Sequence, residues 1–316
     1  GLVRRHYEVG QQATRIKNQL TAIWDELFPE CTEILRNPNG LIALLLREHF
    51  PTPALIAAAS LEDLKGIRRG HRPSQSDLEK LQGLAKHSIG ITDPARSYTL
   101  LLEQTQLIQV FHLLQQQETE LRAAIERIVT GCREGQILLS MPVMGPIHAA
   151  TILASIGNIR NFAKRSELRR FCGCAPRSTQ TGTSIDHDRM SSTGVRLLRQ
   201  TFFLLVCSSV SAHRDNAWSR LYHRLVIKKC SFDARKGVYL GKKRVIGRLA
   251  GQMCGVVHTL LKQDAEAVDA ARAHGLPLPG VQLYDPDTHA GTGSGSKPLT
   301  NPAASEKIDA ANVGTI

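Results

Sequence analysis

The chain has 316 residues, 42% of them hydrophobic, and a formal net charge of +12 at pH 7. This length and hydrophobic content allow one large or two modest domains with buried cores. The charge favours a polyanionic partner, nucleic acid before an anionic membrane. No run of about 18 apolar residues indicates a membrane-spanning helix, and the seven scattered cysteines form no CxxC pair, so we predict reduced thiols and no metal site.

The first region, residues 1–92, reads as a helical linker region. Apolar residues recur at steps of three or four from Val9 to Leu27, which predicts one long helix that ends before Pro29. A second helix is predicted from Leu41 to Phe50. Thr52 followed by Pro53 is typical of a helix N-terminus, and Ser60 indicates another.

Residues 93–135 carry the longest apolar pattern. Leucine or isoleucine recurs every seven residues, and two further apolar residues lie on the companion seam; the positions are Leu100, Leu107, Leu114, Leu121, Ile128, Phe111 and Ile125. Such a stripe predicts a coiled-coil arm and, through it, a homo-oligomer. The alternative is a long amphipathic helix packed in a bundle.

Basic residues concentrate in the third region, residues 136–265. Between residues 160 and 248 there are 20 Lys and Arg residues but only five Asp and Glu residues, a net charge of +15 that exceeds that of the whole chain. This concentration predicts a domain that faces nucleic acid. Helices are predicted from Ser166 to Gly173 and over about 193–212, 217–229 and 241–262; the last has DNA-binding candidates at its start, Lys242, Lys243 and Arg244. Residues 266–316 read as a mostly disordered tail.

The segment around residue 145 is the first candidate for contact with DNA. A helix over 136–140 is followed by a tight turn, and a second helix is predicted to begin at Pro146. Gly145 would permit a positive φ or the close approach of another backbone. The free N–H groups of the second helix could hold a phosphate oxygen, as in a helix-hairpin-helix motif that includes Val143, Gly145 and Pro146. The alternative is an ordinary helical turn.

The second candidate is a segment rich in hydroxyl groups and glycine that follows Phe171. Its cations are Arg177, Arg189, Arg196 and Arg199. A hydroxyl among guanidinium groups could attack a phosphodiester, with the arginines stabilising the developing negative charge. The alternative, favoured by residue types alone, is a phosphate-binding loop whose hydroxyls only donate hydrogen bonds.

These stretches resemble the insertion-sequence transposases of the "one-ten" family, including its "eleven-eleven" subgroup. The family pattern P-G-I-G, Phe, G-L-x-P-R, S-G, S-K-x-G and L-R corresponds to residues 142–145, 162, 173–177, 181–182, 191–194 and 198–199. The resemblance covers about residues 140–262 well. It implies a mainly α fold with a Transposase 20 domain, DNA recombination guided by a structured RNA, and a bacterial or archaeal protein of the cytoplasm that associates with the nucleoid.

The resemblance also assigns chemical roles. In the family a serine attacks DNA, while carboxylates of a DEDD RuvC-like domain hold Mg²⁺. Thr181 stands at that serine position, and its extra methyl group restricts χ1 and hinders in-line attack; Ser184 is the weaker candidate nucleophile. We find no RuvC-like segment, so we expect a truncated chain that binds no cofactor alone. Two alternatives stay open: a catalytically inactive remnant that binds DNA or RNA, and a coiled-coil assembly protein.

Overall fold

The computed structural model describes residues 1–67, 73–181, 185–190, 193–211 and 216–289. Helices dominate this part of the chain, and its strands form two small antiparallel hairpins, so the predicted mainly α fold is confirmed. The chain divides into one compact unit over Gly1–Ala123 and a second from Ala124 onward. No helix in the described ranges is both long enough and apolar enough to cross a membrane.

Helices are the only regular elements among the described residues of the first unit. Its helices are α1 (Leu2–Leu27), α2 (Leu41–His49), α3 (Pro53–Ala58), α4 (Leu61–Lys65), α5 (Gln75–Lys86) and the start of α6 (Pro94–Gly131), with a short 3-10 helix at Pro29–Glu33. The predicted N-termini are confirmed, because the Thr52 hydroxyl accepts a hydrogen bond from the Leu55 N–H and Ser60 forms a capping box with Asp63.

Part of the heptad stripe of α6 packs against α1 of the same chain. Phe111 and Leu114 are buried against Val9 and Ala13 of α1, which is the packing expected of a bundle helix. Ile128, which the stripe also includes, is 59% exposed. Self-association through the predicted arm stays a prediction.

The second unit contains the remaining helices and both hairpins. Its helices are α7 (Arg133–Leu139), α8 (Pro146–Ile156), α9 (Arg165–Phe171), α10 (Arg196–Ser211), α11 (Ala217–Lys229), α12 (Lys242–Ala273) and α13 (Pro286–His289), with a 3-10 helix at Ile159–Asn161. The hairpins pair β1 (Pro176–Thr181) with β2 (Ile185–Met190) and β3 (Ser231–Asp233) with β4 (Val238–Leu240). Helix α12 packs against α7, α9, α10 and α11.

Three sequence predictions about the helices and strands of this unit were wrong. Helix α9 begins at Arg165 rather than at a Ser166 cap, and the carboxylate of Glu167 accepts a hydrogen bond from the Ala163 N–H at 2.8 Å. Helix α12 continues to Ala273, because good helix formers follow residue 262 and the apolar face goes on with Val268 and Ala271 buried. The third error concerns β1 and β2, which occupy a stretch that reads as a loop.

Candidate functional site

The turn between α7 and α8 has the predicted order of elements, and α8 begins at Pro146 as expected. The expectation for Gly145 was wrong: its φ is −82°, an ordinary value, and a Cβ added there would meet no atom within 4 Å. Val143 takes the positive φ instead, at +60°. The space around Gly145 is therefore open to a ligand rather than filled by the protein.

The start of α8 has the features of a backbone anion site. Gly145 is the N-cap residue, and no side chain in the described part of the chain caps the helix. The first-turn N–H groups and the positive end of the helix dipole therefore lie beside open space. His148, in this first turn, has a pKa below its ordinary value because it is partly buried. A neutral histidine does not add a charge to the site at neutral pH.

We expect Val143→Gly to raise the stability of the second unit by about 1 kcal/mol, because a β-branched residue at positive φ is strained and glycine is not. Part of the gain is offset by the greater freedom of glycine in the unfolded chain. Thermal unfolding should show a rise of about 2–4 °C. Gly145→Ala is the control and should not raise the midpoint, since its φ is already negative and no strain is relieved there. A lower midpoint for Val143→Gly would show that side-chain packing outweighs the strain.

Two glycines close the β1–β2 hairpin at its base. Gly173 has φ +66° and Gly194 has φ +97°. A Cβ on Gly173 would lie 2.6 Å from the carbonyl oxygen of Thr193, and one on Gly194 would lie 2.6 Å from the backbone nitrogen of Gly173. The two backbones thus touch, and the Val195 N–H donates a 2.8 Å hydrogen bond to the Phe171 carbonyl. Both glycines belong to the family pattern, and their role is steric.

The hairpin contains the candidate nucleophile position. Thr181 is the last residue of β1, directly opposite Ile185 in the register. Arg177 and Arg189 are cross-strand partners. Ser184, the weaker candidate, lies outside the described residues.

The other predicted cations lie on helices of the same unit. Arg199 of α10 is close to the hairpin base, since a Cβ on Gly173 would lie 3.2 Å from its Nη1. Arg196 is exposed at the start of α10. Lys242, Lys243 and Arg244 are the first residues of α12.

Three buried cysteines, Cys172, Cys174 and Cys254, lie near the hairpin base. Burial is the largest cause that raises the pKa of Cys174 to about 12. The pKa of Cys254 lies well above its ordinary value, chiefly through a hydrogen bond with Cys172. The thiols of Cys174 and Cys254 are therefore protonated at neutral pH, and all three cysteines are buried core residues. Among the described residues, no three His, Cys, Asp or Glu side chains form a group able to hold a metal ion.

Comparison with known proteins finds a similarity to one family of transposases. Residues 135–224 match the family described as "Transposase IS116/IS110/IS902 family". This span runs from α7 into α11 and contains the turn before α8, the glycine pair and the hairpin. This match supports the resemblance to insertion-element transposases of the IS110 family that the sequence predicts.

Two relatives come from Streptomyces coelicolor. The "Insertion element IS110 uncharacterized 43.6 kDa protein" is 23% identical over 266 residues, which are 83% of this chain and 62% of that protein. The "Mini-circle putative transposase for IS117" is 26% identical over 195 residues, which are 57% of this chain and 46% of that protein. The chain thus spans about half to three fifths of the length of these relatives.

Proposed function

We propose that the chain binds DNA as part of a transposase that recombines an insertion sequence, and that the Thr181 hydroxyl attacks a DNA phosphodiester. The observation that carries this proposal is the glycine-closed hairpin. Two backbones touch at its base, and the paired strands run from there to Thr181 beside the turn. A fixed nucleophile position is what in-line attack on phosphorus requires.

The chemical step would form a bond between the Thr181 oxygen and phosphorus and break the bond between phosphorus and the leaving DNA oxygen. The hydroxyl proton would pass to solvent, and the leaving oxygen would take up a proton. Charge that develops on the phosphoryl oxygens would be stabilised by Arg177, Arg189, Arg196 and Arg199. The product is a covalent phosphothreonyl link, which a second attack by a DNA hydroxyl would resolve.

The duplex backbone would be held elsewhere on the same unit. The open, uncapped start of α8, with Val143, Gly145 and Pro146, suits a phosphate oxygen. The basic start of α12 supplies Lys242, Lys243 and Arg244. Contacts of this kind bind backbone without reading bases, so a guide RNA would supply the sequence specificity.

The remaining partners rest on the family resemblance. A RuvC-like domain would hold Mg²⁺ through its carboxylates and supply metal-ion chemistry beside the scissile phosphate. Assembly would bring several chains together through the predicted arm, in the cytoplasm and near the nucleoid. The competing function is a catalytically inactive remnant that binds DNA or RNA through the same cations.

A trapping assay tests the nucleophile. The chain is incubated with labelled element-end DNA, a guide RNA and a protein that supplies the RuvC-like domain, and covalent adducts are separated on a denaturing gel. Wild type should give an adduct, Thr181→Ala none, and Thr181→Ser an adduct formed about tenfold faster, because the hindering methyl group is gone.

The control is Ser184→Ala, which should retain the adduct. An adduct that survives in Thr181→Ala and disappears in Ser184→Ala would move the role to Ser184. Salt-sensitive DNA binding without an adduct in wild type or Thr181→Ser would favour the inactive remnant.

A further inference from the structure

A cavity of about 840 Å³ lies in the second unit among α9, α11, the second hairpin and α12. Four cationic side chains line it: Arg169, Lys229, Arg244 and Arg248. None of the described residues that line it is acidic. A concave surface that combines positive charges with low-dielectric walls concentrates an anionic ligand.

One of these cations, Arg169, packs against Gly251, where any side chain would overlap with its guanidinium. A Cβ on Gly251 of α12 would lie only 2.8 Å from Nη2 of Arg169 and 3.2 Å from its Nε. Arg169 therefore lies directly on the helix backbone. Its buried Nε has no hydrogen-bond partner within the described part of the chain. A buried donor of this kind costs free energy unless a ligand pairs with it.

The cavity also has features suited to a base. Gln252 lines it, and the buried Oε1 of this residue likewise lacks a hydrogen-bond partner among the described residues. Part of the cavity wall is apolar and is formed by Leu225, Leu240 and Val245. An unpaired acceptor beside apolar surface can accept a hydrogen bond from the amino or imino edge of a nucleobase, while the cations take the phosphate.

The position of the cavity connects it with the candidate site. Cys174 lines it, and β1 begins two residues later at Pro176. Arg169 and Arg199 both act electrostatically on Cys174, so the cavity adjoins the base of the hairpin that ends at Thr181. Thr181 lies at the other end of β1, five residues or about 16 Å from Pro176, so one strand could contact the cavity and Thr181 through different nucleotides.

We propose that this cavity binds one unpaired nucleotide of a single-stranded nucleic acid, with its phosphate on Arg169, Lys229 and Arg248 and its base against Gln252. The proposal deepens the DNA-binding function and rests on it. The cavity is concave, whereas the backbone of a duplex is a continuous outer surface, so an unpaired strand is the ligand that fits. DNA and RNA strands share this chemistry and are distinguished by the test.

The test is fluorescence anisotropy of the full chain with a labelled 12-nucleotide DNA strand, the matching RNA strand and the DNA duplex, each at several salt concentrations. Arg248→Gln should weaken binding of the strand about tenfold and reduce the salt slope by about 0.7, the value for one lost phosphate contact. Gln252→Leu should also weaken it, without a change in slope, because no charge is lost. A tighter complex with one strand identifies DNA or RNA as the source, and equal affinities support the shared chemistry.

Arg272→Gln is the matched control, since Arg272 lies exposed in the last turn of the same helix. It should change the affinity less than twofold. The proposal is overturned if Arg272→Gln weakens binding as much as Arg248→Gln, or if the cavity variants weaken the duplex and the strand equally. If the cavity variants bind both the duplex and the strand as the wild type does, the cavity is not the strand-binding site, although the proposed function stands. If the wild type binds no nucleic acid, the proposed function is rejected as well.

Discussion

Gly194→Ala is expected to destabilise the second unit by roughly 3–4 kcal/mol, the largest effect of any single methyl group that we predict. The added Cβ would lie 2.6 Å from the nitrogen of Gly173, 2.7 Å from the carbonyl oxygen of Phe171 and 2.9 Å from that of Arg170. All three atoms belong to backbone, so no side-chain rotation relieves the overlap. The φ of +97° adds a conformational cost that glycine does not bear.

Thermal or urea unfolding measures this effect, and a fall in midpoint of about 10 °C is expected. Gly237→Ala separates the two causes. Gly237 also has a positive φ, +65°, but a Cβ there would meet no atom within 4 Å. It should therefore cost only about 1 kcal/mol, the conformational part. Equal losses for both variants would show that the contact between Gly173 and Gly194 does not clamp the hairpin.

A functional consequence follows from the same contact. Parting the two backbones at residues 173 and 194 would release the ends of β1 and β2 and let the position of Thr181 vary. Molecules of Gly194→Ala that remain folded should thus lose adduct formation more severely than duplex binding at the start of α8. The first activity needs a fixed hydroxyl, whereas the second depends on a different element.

Local sequence features predicted the helical architecture well. The ends of α1 and the starts of α3, α4 and α8 follow from proline and capping residues, which act through the backbone of their own segment. Helix α11 was predicted over 217–229 and spans Ala217–Lys229. The extension of α12 to Ala273 was missed, although residues such as Ala265 and Val268 continue its buried face.

Features that depend on distant residues could not be predicted. The β1–β2 strands are short and polar, so their pattern resembles that of a loop, and the contact that closes them joins residues about 20 positions apart. The expectation of a special conformation fell on Gly145, yet Val143 has the positive φ. The chain has valine at the position of the first glycine in the family's P-G-I-G pattern, and the sequence alone does not reveal that the backbone keeps the glycine-like conformation.

The cavity illustrates the same limit. Arg169, Lys229 and Arg248 belong to three helices, and no spacing in the sequence relates them. The charge of +15 between residues 160 and 248 indicates that cations gather in this unit but not where. Only the packing of α9 and α11 on α12 brings them around one space.

Asp264→Asn is expected to lower the free energy of unfolding of the second unit by about 2–3 kcal/mol, the second large effect that we predict. The Arg133 guanidinium makes a bidentate pair with Asp264, with Nε–Oδ2 and Nη2–Oδ1 distances of 2.7 Å. It also donates to the carbonyl oxygens of Pro279 and Gly280 at 2.7 and 2.8 Å. One side chain thus joins the start of α7, the interior of α12 and the segment after it.

Burial decides the size of this effect. The Asp264 side chain is 6% exposed and that of Arg133 is 22% exposed, so removal of the carboxylate charge leaves a guanidinium that solvent only partly reaches. The hydrogen bonds to Asp264 raise the pKa of Arg133 above its ordinary value in the wild type. A guanidinium does not deprotonate in proteins, so Arg133 stays charged in the variant. Its positive charge would then lack a counter-charge in a poorly solvated place.

The same helix provides a matched control. Arg160 pairs with Asp269 in a similar two-bond geometry, at 2.6 and 2.8 Å, but these side chains are 41% and 51% exposed. Asp269→Asn removes the same charge from an equally short pair, and the unfolding midpoint should not change measurably because water replaces the lost partner. A comparable fall for both variants would mean that the charge of α12 as a whole, rather than the buried Arg133–Asp264 pair, stabilises the unit. A fall confined to Asp264→Asn would assign the effect to burial, since the residue types and the change of charge are identical in the two pairs.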